Sequence, residues 1–129
     1  MISLDTNVVV RFVVQDDELQ SGIVNALFEQ NNIFIANTVV LESEWVIRGT
    51  YGFTREQVND FFEVLLEHQS VEFEDATVLR AALVFFVDGL DFADAFHLAQ
   101  SRGRFATFDK RLVNRTKKLG NTPEAYIPV

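Results

Sequence analysis

Four acidic residues are spaced so that together they could form a reactive site: Asp5, Glu42, Asp94 and Asp109. Each lies where a predicted strand or helix begins or ends, or on a helix beside such a point. Ionised carboxylates are costly to remove from water without a partner, and four of them close together would also repel one another. A hard divalent cation would relieve both costs, since Mg²⁺ and Mn²⁺ prefer oxygen ligands. The four acids therefore predict a site for one or two such ions.

A site of this kind is suited to the hydrolysis of phosphodiesters. One ion can activate a water nucleophile while another stabilises the leaving oxygen. Asp91, three residues before Asp94, either supports the site or caps the helix that follows it, and capping is the favoured interpretation. Supporting roles are also open for Thr6, Asn7 and Thr107. For these three, turn capping or an ordinary strand position is the alternative.

Glu42 and Glu44 compete for one of the four positions. On a helix, Glu42 shares a face with Val39, Val46 and Trp45. Its side chain is therefore predicted to point inward, and that of Glu44 outward. Trp45 itself is predicted to lie in the core. This comparison places Glu42, rather than Glu44, among the candidate metal ligands.

The elements that must position these acids alternate between short strands and longer helices. Strands are predicted over Ile2–Leu4, Ile33–Ala36, Val71–Phe73 and Arg104–Phe108, with a last edge strand at Tyr126–Ile127. Helices are predicted over residues 6–14, 16–30, 37–48, 54–68, 75–87, 92–102 and 110–119. The alternation predicts an α/β domain with a mainly parallel sheet and helices on both faces. In such sheets the functional crevice lies outside the carboxyl ends of the strands, where Asp5 and Asp109 are expected.

Length and composition indicate one soluble globular domain over residues 1–129, with 48% hydrophobic residues available for a core. The chain has no cysteine, which excludes disulfides and thiolate metal sites. No apolar run reaches the roughly 20 residues that a membrane helix needs. The N-terminus lacks the basic and apolar regions of a signal peptide. Together these features favour a cytoplasmic protein without membrane association.

Charge is distributed unevenly along the chain. The formal net charge of −8 argues against a protein that coats nucleic acid nonspecifically, because phosphate binding is driven mainly by Lys and Arg. Seven of the eleven basic residues nevertheless lie late in the chain: Arg102, Arg104, Lys110, Arg111, Arg115, Lys117 and Lys118. Such a cluster is most often a solvated helix face. Beside a metal centre, Arg102, Arg104, Lys110 and Arg111 become candidates for contacts to an RNA backbone.

Four segments, in this order, resemble the successive motifs of PIN domains. They are MISLDTNV at 1–8, LESE at 41–44, DFADA at 91–95 and TFDKRL at 107–112. More closely, they are similar to the VapC-type toxins of type II toxin–antitoxin modules. No single motif is specific, but the ordered set with a strand before its first and last members is, and the resemblance extends from Met1 to about Leu119.

The resemblance implies a three-layer α/β/α sandwich around a short, mainly parallel sheet. It also implies an endoribonuclease dependent on Mg²⁺ or Mn²⁺, often acting on structured RNA such as tRNA. The family's first three acids correspond to Asp5, Glu42 and Asp94, and its more variable fourth to Asp109. Members commonly form homodimers and are inhibited by an antitoxin that places a basic side chain among the acids. A separate expectation from the sequence is that Phe61, Phe62, Phe85 and Phe86 exceed what one small core needs and cover a partner surface.

Other interpretations of the same residues are weaker. Asp5 could be the nucleophile of a phosphoryl-transfer enzyme that begins strand-Asp-x-Asp, but position 7 is Asn7, which removes the expected general acid. The basic segment could belong to a noncatalytic module that binds RNA or a partner protein, although the four-acid set is then unexplained. His97, one turn after Asp94, is better explained as an ordinary half-buried helix residue than as a metal ligand.

Overall fold

The computed structural model describes all residues, Met1–Val129. The protein is a mixed α/β chain with seven helices and a short parallel sheet, which confirms the predicted fold class. Its backbone contacts group into two compact units, Met1–Ala76 and Thr77–Val129. The single domain expected from length remains a prediction. No helix combines the length and the apolar character that crossing a bilayer requires.

The first unit contains three strands and four helices. They are β1 (Ile2–Ser3), α1 (Thr6–Val14), α2 (Glu18–Gln30), β2 (Ile33–Ile35), α3 (Asn37–Gly49), α4 (Arg55–Glu67) and β3 (Val71–Phe73). The strands form a parallel sheet in the order β1-β2-β3. The register pairs Ile2 with Ile33, and Ile33 with Val71. Just beyond β1, the N–H of Leu4 still donates to the carbonyl of Phe34 at 3.1 Å, so the chain is held in the sheet up to the residue before Asp5.

Helix boundaries in this unit follow local capping. Thr54 and Gln57 form a capping box at the start of α4, in which each side chain accepts a hydrogen bond from the other residue's backbone N–H. Asp17 caps α2 by accepting from the N–H of Gln20 at 3.0 Å. Because these bonds join residues three positions apart, they depend only on neighbours in the chain.

One prediction of burial was wrong, and α2 buries a narrow face. Leu19 and Ile23 on α2 are 76% and 56% exposed, because the buried face of that helix is the line of Ser21, Val24 and Phe28. Four phenylalanines predicted to be surplus are instead buried: Phe61, Phe62, Phe85 and Phe86. The core takes up these rings, so they provide no partner surface.

The second unit continues with three helices and two strands. They are α5 (Ala76–Val87), α6 (Phe92–Gln100), β4 (Phe105–Ala106), α7 (Lys110–Leu119) and β5 (Ala125–Tyr126). β4 pairs in parallel with β5 as a separate two-stranded sheet. The predicted strand 104–108 is therefore shorter than expected, and Phe108 is exposed. The Thr107 hydroxyl accepts a hydrogen bond from the N–H of Asp109 at 3.0 Å, which turns the chain from β4 into α7.

Candidate functional site

Asp5 lies at the junction between β1 and α1 and caps the helix. Its φ and ψ angles of −80° and 160° are extended, and its Oδ1 accepts a hydrogen bond from the N–H of Thr6 at 2.7 Å. A short acidic side chain is favoured here because it satisfies a free N–H group and faces the positive end of the helix dipole. The carboxylate is thus held in place yet remains exposed to a ligand.

Glu42 lies beside Asp5 within the first unit. Both line one open cavity of about 380 Å³, which we call the Asp5 cavity and which is also lined by Thr6, Asn7, Trp45 and Tyr51. The buried hydroxyl of Thr6 donates a hydrogen bond to Oε1 of Glu42. Thr6 therefore holds Glu42 through its side chain and Asp5 through its backbone N–H. The structure brings together two of the four predicted acids here, and the predicted supporting residues Thr6 and Asn7 lie with them.

The predicted orientations of Glu42 and Glu44 were wrong. Glu44 is only 7% exposed and pairs with Arg48, with 3.6 Å between Oε1 and Nη1, whereas Glu42 is exposed. The buried face of α3 consists of Val40, Ser43, Glu44 and Ile47. The face that carries Glu42 instead borders the Asp5 cavity, where an exposed carboxylate can meet a ligand.

Substitution of the two glutamates is expected to separate activity from stability. Glu42→Gln should lower the RNA cleavage expected from the sequence about a hundredfold, because it removes a charge from the candidate metal site, with little change in the free energy of unfolding. Glu44→Gln should instead lower that free energy by about 1 kcal/mol, because Arg48 then loses its charged partner at the half-buried end of this pair. Parallel urea unfolding and cleavage assays test both. Equal loss of activity in the two variants would contradict the assignment.

Trp45 was predicted to lie in the core, and this was wrong, since its side chain is 73% exposed. It follows Glu42 by three residues on α3 and lines the Asp5 cavity. The sequence correctly placed Trp45 on the same helical face as Glu42, but the direction in which that face points was predicted wrongly. The exposed ring provides a reporter for the cavity because it is the chain's one tryptophan.

Tryptophan fluorescence should therefore detect metal binding without any RNA. We expect emission typical of a water-exposed indole, and a change in its intensity when Mn²⁺ binds at Asp5 and Glu42. The change should disappear in Asp5→Asn, with Asp17→Asn as the matched control, because Asp17 caps a different helix. An equal response in Asp5→Asn would show that the ion binds elsewhere.

The other two predicted acids lie together in the second unit. Asp109 caps α7, and its Oδ1 accepts from the N–H groups of Arg111 and Leu112 at 2.9 and 3.1 Å. Asp94 lies in the first turn of α6, and Asp91 caps that helix by accepting from the N–H of Asp94 at 3.3 Å. The predicted cap is thus confirmed. All three carboxylates line a cavity of about 340 Å³, which we call the Asp94 cavity.

Negative charge accumulates in the Asp94 cavity. Partial burial raises the pKa of the Asp94 carboxyl above its usual value, the charges of Asp91 and Asp109 raise it further, and His97 partly opposes them. Within neither unit do three or more His, Asp or Glu side chains form a ready-made metal-binding group. The oxygen donors nevertheless suit a hard divalent cation. A bound cation would offset the repulsion among the carboxylates of Asp91, Asp94 and Asp109.

The remaining predicted residues have more ordinary surroundings. His97 was predicted to be half-buried, but it is exposed, and its ring stacks on Phe105 with 6.4 Å between centroids. Thr107 holds the backbone of Asp109. Arg104 lies over the ring of Tyr126 at 4.1 Å. The predicted RNA-binding residues Arg102, Arg104, Lys110 and Arg111 are all exposed. Of these four, Arg111 lines the Asp94 cavity.

Sequence reasoning missed two residues of the Asp94 cavity, Gly89 and Arg115. Arg115 follows Arg111 by four residues, and this spacing places two side chains on one helical face. That spacing could have indicated that Arg115 belongs to the cavity. Gly89 was harder to identify, because a glycine after a helix is usually explained as the residue that ends the helix.

Comparison with known proteins assigns the chain to a family. No curated protein matches it. The family model described as PIN domain matches residues 2–118, a span that includes both cavities and all four acids. This protein therefore belongs to the PIN domain family.

Proposed function

We propose that this protein is a metal-dependent endoribonuclease and the toxin of a VapBC-type toxin–antitoxin module. PIN domains are generally nuclease-like and are often metal-dependent ribonucleases. The observation that carries the proposal is the pairing of the four acids. Asp5 lies with Glu42 in one cavity, and Asp94 lies with Asp109 in another. Helix capping alone does not explain the four acids, because Glu42 caps no helix.

The proposed ligands are Asp5, Glu42, Asp94 and Asp109, and the proposed ion is Mg²⁺ or Mn²⁺. All the donors are carboxylate oxygens, which these ions prefer. The raised pKa of Asp94 is the response expected of a carboxyl that is partly buried and has other carboxylates beside it. When bound, the ion would activate a water molecule and offset the negative charge of the scissile phosphate.

The chain's own residues would prepare the site before RNA arrives. The Thr6 hydroxyl holds Glu42, and the Thr6 N–H holds Asp5, so little conformational entropy remains to be lost on binding. Thr107 holds the backbone of Asp109. Asp5 and Asp109 also lie at helix N-termini, where the positive end of the helix dipole attracts negative charge.

Binding of RNA by a chain of net charge −8 requires local positive charge. We propose that the exposed side chains Arg102, Arg104, Lys110 and Arg111 contact the backbone of a structured RNA substrate such as tRNA. We further propose a cytoplasmic homodimer, inhibited by a cognate antitoxin. A basic antitoxin side chain would find electrostatic complementarity among the carboxylates of either cavity.

The decisive experiment uses pure protein freed of any copurified partner. The protein is incubated with total RNA and with tRNA, in Mg²⁺, Mn²⁺ or EDTA, beside the Asp5→Asn and Asp94→Asn variants. We expect discrete fragments that require both the metal and the acids. If the folded wild type neither cleaves RNA nor binds metal, the noncatalytic RNA- or partner-binding module replaces the nuclease.

A further inference from the structure

We propose that Arg111 and Arg115 form a phosphate-binding pair for the RNA backbone in the Asp94 cavity, and that Gly89 leaves room for the Arg115 guanidinium. This inference rests on the proposed ribonuclease function and identifies groups that would hold its substrate. Both arginines line the cavity with Asp91, Asp94 and Asp109. They are four residues apart on α7, so their side chains lie on one face of that helix.

Neither guanidinium is engaged in an ion pair. Arg11 pairs with Asp16 and Arg48 with Glu44, but Arg111 and Arg115 pair with none of the three carboxylates that line their cavity. One of those carboxylates, Asp109, accepts hydrogen bonds from α7 backbone N–H groups instead. The planar guanidinium is suited to bidentate contact with phosphate, and here two remain available for it.

Gly89 allows Arg115 to occupy this position. A Cβ atom at residue 89 would lie 2.7 Å from Nη1 and 3.6 Å from Cζ of Arg115. The first distance is closer than real Cβ atoms approach. Since Nη1 is the end of a flexible side chain, a methyl group would displace the guanidinium rather than disrupt the core. The φ angle of Gly89, +114°, adds backbone strain to any such substitution.

The arrangement of charge on α7 favours a nucleic acid backbone over a single small anion. Arg111, Arg115 and Lys118 succeed one another at spacings of four and three residues, which places them along one side of the helix over about 10 Å. A nucleic acid backbone carries one negative charge per nucleotide and is bound mainly through Lys and Arg. A row of three cations therefore suits such a polyanion better than one small anion. Lys117, two residues after Arg115, points to another side and gives a control of equal charge on the same helix.

The test measures RNA binding and RNA cleavage separately. Binding of a fluorescein-labelled, mixed-sequence 12-nucleotide RNA is followed by anisotropy in EDTA over a range of salt concentrations. Cleavage of tRNA is followed in Mg²⁺ or Mn²⁺. Arg115→Ala should weaken binding and raise KM about tenfold, with kcat nearly unchanged, and should reduce the salt dependence of binding by about one phosphate contact. Arg115→Lys should restore part of the affinity, and Lys117→Ala should have a much smaller effect.

A double-mutant cycle tests the role of Gly89. Gly89→Ala should weaken RNA binding several-fold in the wild-type background and have no further effect in Arg115→Ala, because the guanidinium that it displaces is then absent. Thermal unfolding of each variant checks that the protein is folded. Additive effects of the two substitutions would overturn the role of Gly89.

The outcomes separate this inference from the proposed function. Equal loss of RNA affinity in Arg115→Ala and Lys117→Ala overturns the phosphate pair even if the protein cleaves RNA. Selective loss in Arg115→Ala supports the pair even if no cleavage is found, because anisotropy does not depend on cleavage. Absence of RNA binding by the wild type overturns the pair, and binding of an acidic protein through Arg115 would then identify the alternative ligand.

Discussion

Asp5→Asn is expected to lower RNA cleavage on the order of a thousandfold while leaving the free energy of unfolding within about 0.5 kcal/mol of the wild-type value. Asn and Asp are comparable N-cap residues, so the hydrogen bond from the Thr6 N–H to position 5 can be retained. The neutral amide, however, removes a charged oxygen ligand from the Asp5 cavity. Cleavage of tRNA and urea unfolding measure the two quantities.

Two alanine variants serve as controls for the Asp5 prediction. Asp5→Ala should lose both activity and about 1 kcal/mol of stability, since α1 then has no side-chain cap. Asp17→Ala removes the equivalent cap of α2 and should show the same loss of stability with near-normal cleavage. Wild-type cleavage rates in Asp5→Asn would remove Asp5 from the proposed metal site.

The sequence predicted the local features of this site because they depend on neighbours in the chain. Asp91 was identified as a helix cap from its position before an apolar segment, and its bond to the N–H of Asp94 spans three residues. The Thr54 and Gln57 pair has the same range. Strand ends were predictable for a similar reason, since the apolar segment at Ile2 stops at a polar Asp-Thr-Asn turn.

Which face of a helix is buried could not be predicted as reliably as these local features. Apolar neighbours suggested that Glu42 and Trp45 point inward, but α3 buries Ser43 and Glu44 instead. Ser43 is small, and Glu44 pairs with Arg48 one turn along the same helix, so both can occupy an interior face. Which face becomes interior is decided by packing against α1 and α4, which α3 alone does not reveal. The contact of Arg115 with Gly89 is hidden for the same reason, because it joins α7 to the turn after α5.

The Asp94→Asn variant should be inactive and, in EDTA at neutral pH, slightly more stable than the wild type. Burial and the charges of Asp91 and Asp109 raise the pKa of Asp94 above its usual value of 3.8, so the fold favours the neutral carboxyl. The stabilising contribution of that neutral form is fully present below pH 3.8 and is lost as pH rises through the raised folded pKa. The amide of Asn stays neutral at every pH. Above the folded-state pKa of Asp94, the melting temperature of Asp94→Asn should therefore exceed that of the wild type by about 1–3 °C.

Metal binding should reverse this order of stability. Mg²⁺ or Mn²⁺ should raise the melting temperature of the wild type, because a ligand that binds only the folded state stabilises it, and the increase should grow with pH as protons cease to compete for Asp94. Asp94→Asn should show little increase, while Asp88→Asn, an exposed change of equal charge in the same unit, should behave like the wild type. Cleavage by Asp94→Asn should fall on the order of a thousandfold. If metal raised the melting temperature of Asp94→Asn as much as that of the wild type, Asp94 would not be a metal ligand. Its negative charge would then only destabilise the fold.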